Sequence, residues 1–147
     1  MIGLIQLLRY NYCPSLEQLI LHDCKMGEKE LLHLSYCIQD GFCKNLTHID
    51  LSNNNLKRKE LMIIRRMLCK AYLPNLHTLN LNHNAIGNDG IEELGNITEV
   101  NCLTQVHTLL LNHNHITDEG ASCIYLYIRN NQWRSLKQLY LDGNHLM

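Results

Sequence analysis

The sequence predicts one α/β domain built as a right-handed solenoid, with a parallel sheet along its inner side and helices along its outer side. Three observations carry this reading. Five segments, beginning at residues 16, 46, 76, 106 and 136, repeat without a gap every 30 residues. Inside each, apolar residues first alternate, which is the period of a strand. They then recur at i, i+3 and i+7, which is one face of a helix. Such a fixed period marks stacked supersecondary units that bury a continuous core only together. The 147 residues form a single domain, 1–147.

The elements follow in order. The five segments are Leu16-Glu-Gln-Leu-Ile-Leu-His-Asp-Cys-Lys-Met26, Leu46-Thr-His-Ile-Asp-Leu-Ser-Asn-Asn-Asn-Leu56, Leu76-His-Thr-Leu-Asn-Leu-Asn-His-Asn-Ala-Ile86, Val106-His-Thr-Leu-Leu-Leu-Asn-His-Asn-His-Ile116 and Leu136-Lys-Gln-Leu-Tyr-Leu-Asp-Gly-Asn-His-Leu146. Leu19/Leu21, Ile49/Leu51, Leu79/Leu81, Leu109/Leu111 and Leu139/Leu141 point inward from successive strands. Where each strand turns away, its backbone loses ladder partners. The column Cys24, Asn54, Asn84, Asn114, Asn144 falls there, and a buried amide can donate and accept from coil to coil. The return helices are expected to bury Leu31/Leu34/Ile38, Leu61/Ile64/Leu68, Ile91/Leu94/Thr98 and Ala121/Ile124/Ile128. Asn88-Asp89 and Thr117-Asp118 stand where helix starts want capping side chains. The same ruler carried backwards places Met1, Leu4 and Leu8 on the helix columns, so residues 1–12 are expected to form the helix of an incomplete first repeat. The apolar opening lacks a basic stretch before it and is too short for a secretory signal or a bilayer span.

The segments match L-x-x-L-x-L-x-x-N/C-x-L, and Ile86-Gly-Asn-Asp-Gly-Ile-Glu-Glu-Leu94 adds a helix in a 30-residue repeat. Over essentially its whole length the chain resembles the ribonuclease-inhibitor-like class of leucine-rich repeats. The resemblance implies a protein-binding arc. Members of that class include cytosolic inhibitors, regulators of small GTPases, immune receptors and effectors secreted by intracellular bacterial pathogens.

Composition bounds the partner. Thirteen Lys+Arg against fourteen Asp+Glu leave a formal charge of −1 with the nine His neutral. Little long-range attraction for nucleic acid or anionic lipid follows. Seven scattered cysteines, with no CxxC pair, fit reduced thiols in a cytoplasmic setting (the host cytosol for a secreted effector) better than disulfides or zinc ligands. Cys13 and Cys43 share a column with Leu73, Leu103 and Trp133, and Cys37 shares one with Met67 and Ile97, so they are expected to be core filler. No nucleophile–base pair or Gly-rich phosphate loop stands out, so no enzyme activity, cofactor or small-molecule substrate is expected.

The expected binding surface is the concave sheet face, whose outward residues have no core duty. Its first column is Gln18, His48, Thr78, Thr108, Gln138. Its second is Ile20, Asp50, Asn80, Leu110, Tyr140, and its third is His22, Ser52, Asn82, Asn112, Asp142. Asp23, Asn53, His83, His113 and Gly143 follow on the rim. Ile20, Leu110 and Tyr140 are apolar on an uncovered face and are candidate anchors for a protein partner, an enzyme among them. His77/His107 and His83/His113, with His115 nearby, fall in register. Two readings compete, a start of a metal site and a coincidence of the repeat, and the coincidence is favoured. Stacked His would also charge together near pH 6. The basic run Lys57-Arg58-Lys59 with Arg65, Arg66 and Lys70 faces Asp89, Glu92, Glu93 and Glu99 of the next repeat. It is expected to be a solvated outer face with weak ion pairs, the alternative being an acidic partner or nucleic acid.

Overall fold

The computed structural model describes residues 1–98 and 102–147. Helix α1 (Ile2–Arg9) leads into β1 (Gln18–Ile20), followed by α2 (Glu28–Gln39), β2 (His48–Asp50), α3 (Arg58–Met67), β3 (Thr78–Asn80), α4 (Gly87–Gly95), β4 (Thr108–Leu110), α5 (Asp118–Arg129) and β5 (Gln138–Tyr140). The strands form one parallel sheet in the order β1-β2-β3-β4-β5. Every register pair joins residues 30 apart, such as Leu19 with Ile49 and Leu79 with Leu109. Pairing runs past the three-residue strands: Leu51 N–H donates to Asn80 O at 2.9 Å and Asn53 N–H to Asn82 O at 3.0 Å.

Parallel strands need a crossover; α2, α3, α4 and α5 each supply one, and successive helices pack against one another along the array. The core lies between the sheet and the helices. Ile49, Leu51, Leu79, Leu81, Leu109 and Leu111 are fully buried, as are Leu31, Leu34, Ile38, Leu61, Ile64 and Leu68. Exposure rises at the two ends. Leu4 is half-buried beside a buried Leu8, and Leu136, Leu139 and Leu141 are only partly covered.

Two helix columns depart from the sequence expectation. In the third repeat α4 stops at Gly95, so Thr98 is exposed and turns back on Asn96, whose Oδ1 accepts from the Thr98 N–H and hydroxyl. The Tyr127 ring of α5 lies against Gly95 where a Cβ would otherwise stand, so the last residue of α4 must be glycine. Ile97, expected beside Cys37 and Met67, is also exposed. In the last helix Ile124 is buried, but Ala121 is half-buried and Ile128 exposed, since no further helix among the described residues lies over them.

Helix starts also differ. Thr117 is the N-cap of α5 without using its own side chain, and Asn88 lies inside the first turn of α4. Asn88 caps the next helix instead. Its Oδ1 accepts from Thr117 N–H at 3.0 Å and Gly120 N–H at 3.2 Å, and its Nδ2 donates to Thr117 Oγ1 at 2.8 Å. A side chain 29 residues upstream thus satisfies donors left open at a helix N-terminus.

Candidate functional site

The polar turn column is the structural spine under the sheet face. Asn84 is buried; its Oδ1 accepts from Asn54 N–H at 2.9 Å and Leu56 N–H at 3.0 Å, and its Nδ2 donates to the carbonyls of Leu51 and Leu81. Asn54 serves Cys24 and Met26 in the same way, and Asn144 serves Asn114 and Ile116. Cys24 departs from the column's role. It is exposed, and its thiol reaches only His22 O at 3.4 Å, so the amide ladder begins at Asn54.

The open sheet face carries the predicted columns side by side: Gln18, His48, Thr78, Thr108 and Gln138 pair in succession, as do Ile20, Asp50, Asn80, Leu110 and Tyr140. Their chemistry is more self-contained than the sequence suggests. Asp50 is a hub. It accepts from the Ser52 hydroxyl at 2.5 Å, from Ser52 N–H at 2.8 Å and from Asn80 Nδ2 at 2.8 Å. Burial works to raise the Asp50 carboxyl, yet the Ser52 and Asn80 hydrogen bonds, with His48 nearby, hold it below the usual aspartate range. Ser52, expected to be exposed, is buried and is also joined to His22 Nδ1 at 2.8 Å. Farther along, Asn82 Oδ1 accepts from Asn112 N–H and Asn112 Oδ1 from Asp142 N–H, both at 2.8 Å. Thr108 donates to Gln138 Oε1. This second side-chain ladder was not legible from the repeat pattern, although the run Asn82, Asn112, Asp142 was its signal.

The three apolar side chains expected as anchors are therefore split. Ile20 stands 58% exposed on β1, while Leu110, half-buried, and Tyr140, 40% exposed, adjoin on β4 and β5. The Asp50–Asn80 pair separates them by about 14 Å at one strand spacing per step.

On the rim, His83 stacks on His113 with centroids 4.4 Å apart, and Gly143 continues the column with φ +67 beneath the His113 ring. His77 stacks on His107 at 4.5 Å, and His115 Nδ1 lies 3.4 Å from His145 Nε2. Burial, Lys137 and His77 together push the His107 imidazole below its usual value. Among the described residues, no group of three or more His, Cys, Asp or Glu side chains comes together as a metal site. All seven thiols are free. Cys37, Cys43 and Cys102 are buried, and burial raises Cys43 to about 11 and Cys102 to about 12, so neither is a thiolate near neutral pH. Cys13, in contrast, is only partly buried.

The basic segment corrects its expectation. Arg65 is not solvated: its Nη2 lies 3.3 Å from Glu93 Oε1, both side chains are almost fully buried, and its Nη1 donates to Asn96 O at 3.2 Å. Arg58 approaches the same Glu93, while Lys59 pairs backwards with Glu28 of the preceding repeat. Glu99 lies outside the described residues. A separate hollow between α1 and α2, lined by Ile2, Ile5, Tyr10, His33 and Phe42, lies on the helical side, away from the sheet face.

Comparison with known proteins supports the architecture. A leucine-rich-repeat family model matches residues 72–95 and 103–124, and a second matches 45–67. Comparison with curated proteins finds no match. Among solved structures, the tropomodulin C-terminal domain of Caenorhabditis elegans superposes with a TM-score of 0.71 at 15% identity, over 96% of this chain and 81% of that one. Leiomodin-1 Actin-Binding Site 2 gives 0.71 at 16% identity, over 96% and 76%. The shared register, the turn amides and these matches together give the chain the fold of an α/β leucine-rich-repeat solenoid.

Proposed function

We propose that the chain is a non-enzymatic interaction module that docks a folded protein on its open sheet face. The observation that carries this reading is the in-register face itself. Five strands present an exposed Ile20 at one end, Leu110 and Tyr140 at the other, and between them a polar hub whose geometry is fixed before any partner arrives. Preformed hydrogen bonds lower the ordering cost of docking, and apolar anchors supply the desolvation energy. Occlusion of a partner enzyme is the finer form of this proposal, and scaffolding without inhibition is its alternative. Docking of nucleic acid on residues 57–70 is less favoured, because Arg58 and Arg65 face Glu93 and Lys59 faces Glu28.

The match to Leiomodin-1 Actin-Binding Site 2 makes actin the first purified partner to test. At that identity it transfers the fold and no contacting residue. The experiment compares the native chain with an Ile20→Ala/Leu110→Ala/Tyr140→Ala variant in co-sedimentation with actin and in affinity capture from soluble protein. Loss of the bound protein by about tenfold or more is expected for the variant, if its circular dichroism is unchanged. Binding that survives the triple substitution overturns the sheet-face reading. Adding the chain to an assay of a captured enzyme separates occlusion from scaffolding.

A further inference from the structure

Two cysteines that the repeat does not align are brought opposite each other. Cys69 follows α3, and Cys102 lies in the connection from α4 to β4, at a spacing other than 30, so they occupy different columns. They nonetheless pair as an isolated antiparallel bridge. Directly opposed residues of such a bridge stand about 4.5 or 5.5 Å apart at Cα, according to whether they exchange hydrogen bonds, and their side chains leave on the same face. Both spacings fall inside the roughly 4.4–6.8 Å that a disulfide spans. We infer that Cys69 and Cys102 are a reversible dithiol–disulfide pair, a modification site that clasps the second coil to the third in the folded chain.

The surroundings give each thiol a different part. Cys69 is partly exposed, whereas Cys102 is buried and its thiol donates to Leu94 O at 3.1 Å. Burial is the largest influence raising Cys102; the Arg65 guanidinium pulls it down and Cys69 pushes it up, so each sulfur lies within reach of the other's charge. Cys69 is thus the thiol that an incoming reagent meets, and Cys102 the one that completes the exchange. With glutathione disulfide as the oxidant, the Cys69 thiolate attacks one of its sulfurs and expels the first glutathione thiolate. The Cys102 sulfur then attacks the Cys69 sulfur of the mixed disulfide, and its proton leaves with the second glutathione. Two protein thiols and one small disulfide become one protein disulfide and two molecules of glutathione. Leu94 O loses a weak S–H donor in the step. The clasp joins two helix-to-strand connections and needs nothing docked on the sheet face.

The test is oxidation of the folded 147-residue protein, kept dilute at about pH 8, where cysteine thiolate is accessible, with an excess of glutathione disulfide. Remaining thiols are then blocked and the chain is cut with trypsin. Cleavage after Arg66 and Lys70, and next after Arg129, puts Cys69 on peptide 67–70 and Cys102 on peptide 71–129 together with Cys123. The expected product is these two peptides joined by one disulfide as the dominant linkage, separated again by dithiothreitol. Cys102→Ser, which keeps a donor for Leu94 O, should lose the link and leave glutathione on Cys69. Cys123→Ser should keep the link. Oxidation in urea should lose the selectivity, because the bridge no longer chooses the partner. A link from Cys69 to Cys123, or the same link formed as selectively in urea, overturns the inference. So does a native chain that holds glutathione on Cys69 without closing, or one in which both thiols stay unreacted.

Discussion

The junction between the second and third coils and the junction between the third and fourth use the same residue in the same column, and they are not equivalent. At the first, Asn84 Oδ1 takes both backbone donors of the preceding turn. At the second, Asn114 is buried yet its Oδ1 has no hydrogen-bond partner among the described residues, while its Nδ2 still donates to Leu81 O and Asn112 O. The difference lies in the third turn. Lys25, Asn55 and His115 adopt positive φ at one position, whereas Ala85 does not and Gly87 does so two residues later, at φ +60. The displaced turn sends the Ala85 N–H to Leu56 O and the Gly87 N–H to the Asn114 backbone carbonyl, bypassing the Asn114 side chain. An identical repeat position is thus worth what its turn delivers to it.

That comparison can be broken by substitution. Asn84→Ala strands two buried N–H groups and should cost about 4 kcal/mol, whereas Asn114→Ala should cost about 2, with urea unfolding as the measurement. Equal losses would show that the displaced turn does not matter. The next effect is electrostatic. Glu93→Ala leaves Arg65 buried beside no carboxylate and should cost about 3 kcal/mol, and Glu93→Leu with Arg65→Met should regain most of it. Smaller still are two glycines with positive φ. Gly87→Ala, which has open space for its Cβ, should cost about 1 kcal/mol. Gly143→Ala should cost more, because its Cβ would stand 2.2 Å from His113 Cε1, and His113→Ala in the same chain should remove only that excess.

The smallest expected effect is pH dependence. His107 is depressed in the folded chain, so the unfolded chain binds its proton first. The stabilisation present above the ordinary histidine value is then lost as pH falls through and below about 6.5. His77→Gln should flatten that decline, measured as the unfolding midpoint between pH 7.5 and 5.5. A decline unchanged by the substitution would separate the ring stack from the titration.

The sheet, its register and the inward leucines were legible because side-chain period and repeat length are both written in single residues. What the pattern could not show was competition between neighbours. Thr98 left the helix column because α4 ends at Gly95, under the Tyr127 ring of the following repeat, and Asn96 claims its N–H and hydroxyl. Ser52 left the surface because Asp50 and His22 claim its hydroxyl. Arg65 left it because Glu93 is buried opposite. The Tyr127 ring, His22 and Glu93 each lie on a different coil from the residue they touch, and column position alone is silent about them. Of the candidate site, the columns were foreseeable, but the hub at Asp50 and the Asn82–Asn112 ladder were not.

The borrowed cap on α5 has a consequence for how the array behaves when divided. The first turn of that helix is closed by Asn88, which sits in the helix before it, and Met147 N–H reaches back to Asp118 Oδ1. A cut placed in the segment that joins the two helices would leave one fragment holding the lid and the other the open vessel. Repeats of this protein are therefore poor interchangeable bricks: shuffling or excising one severs a clasp that spans its boundary, and the neighbour is weakened although none of its own residues has changed.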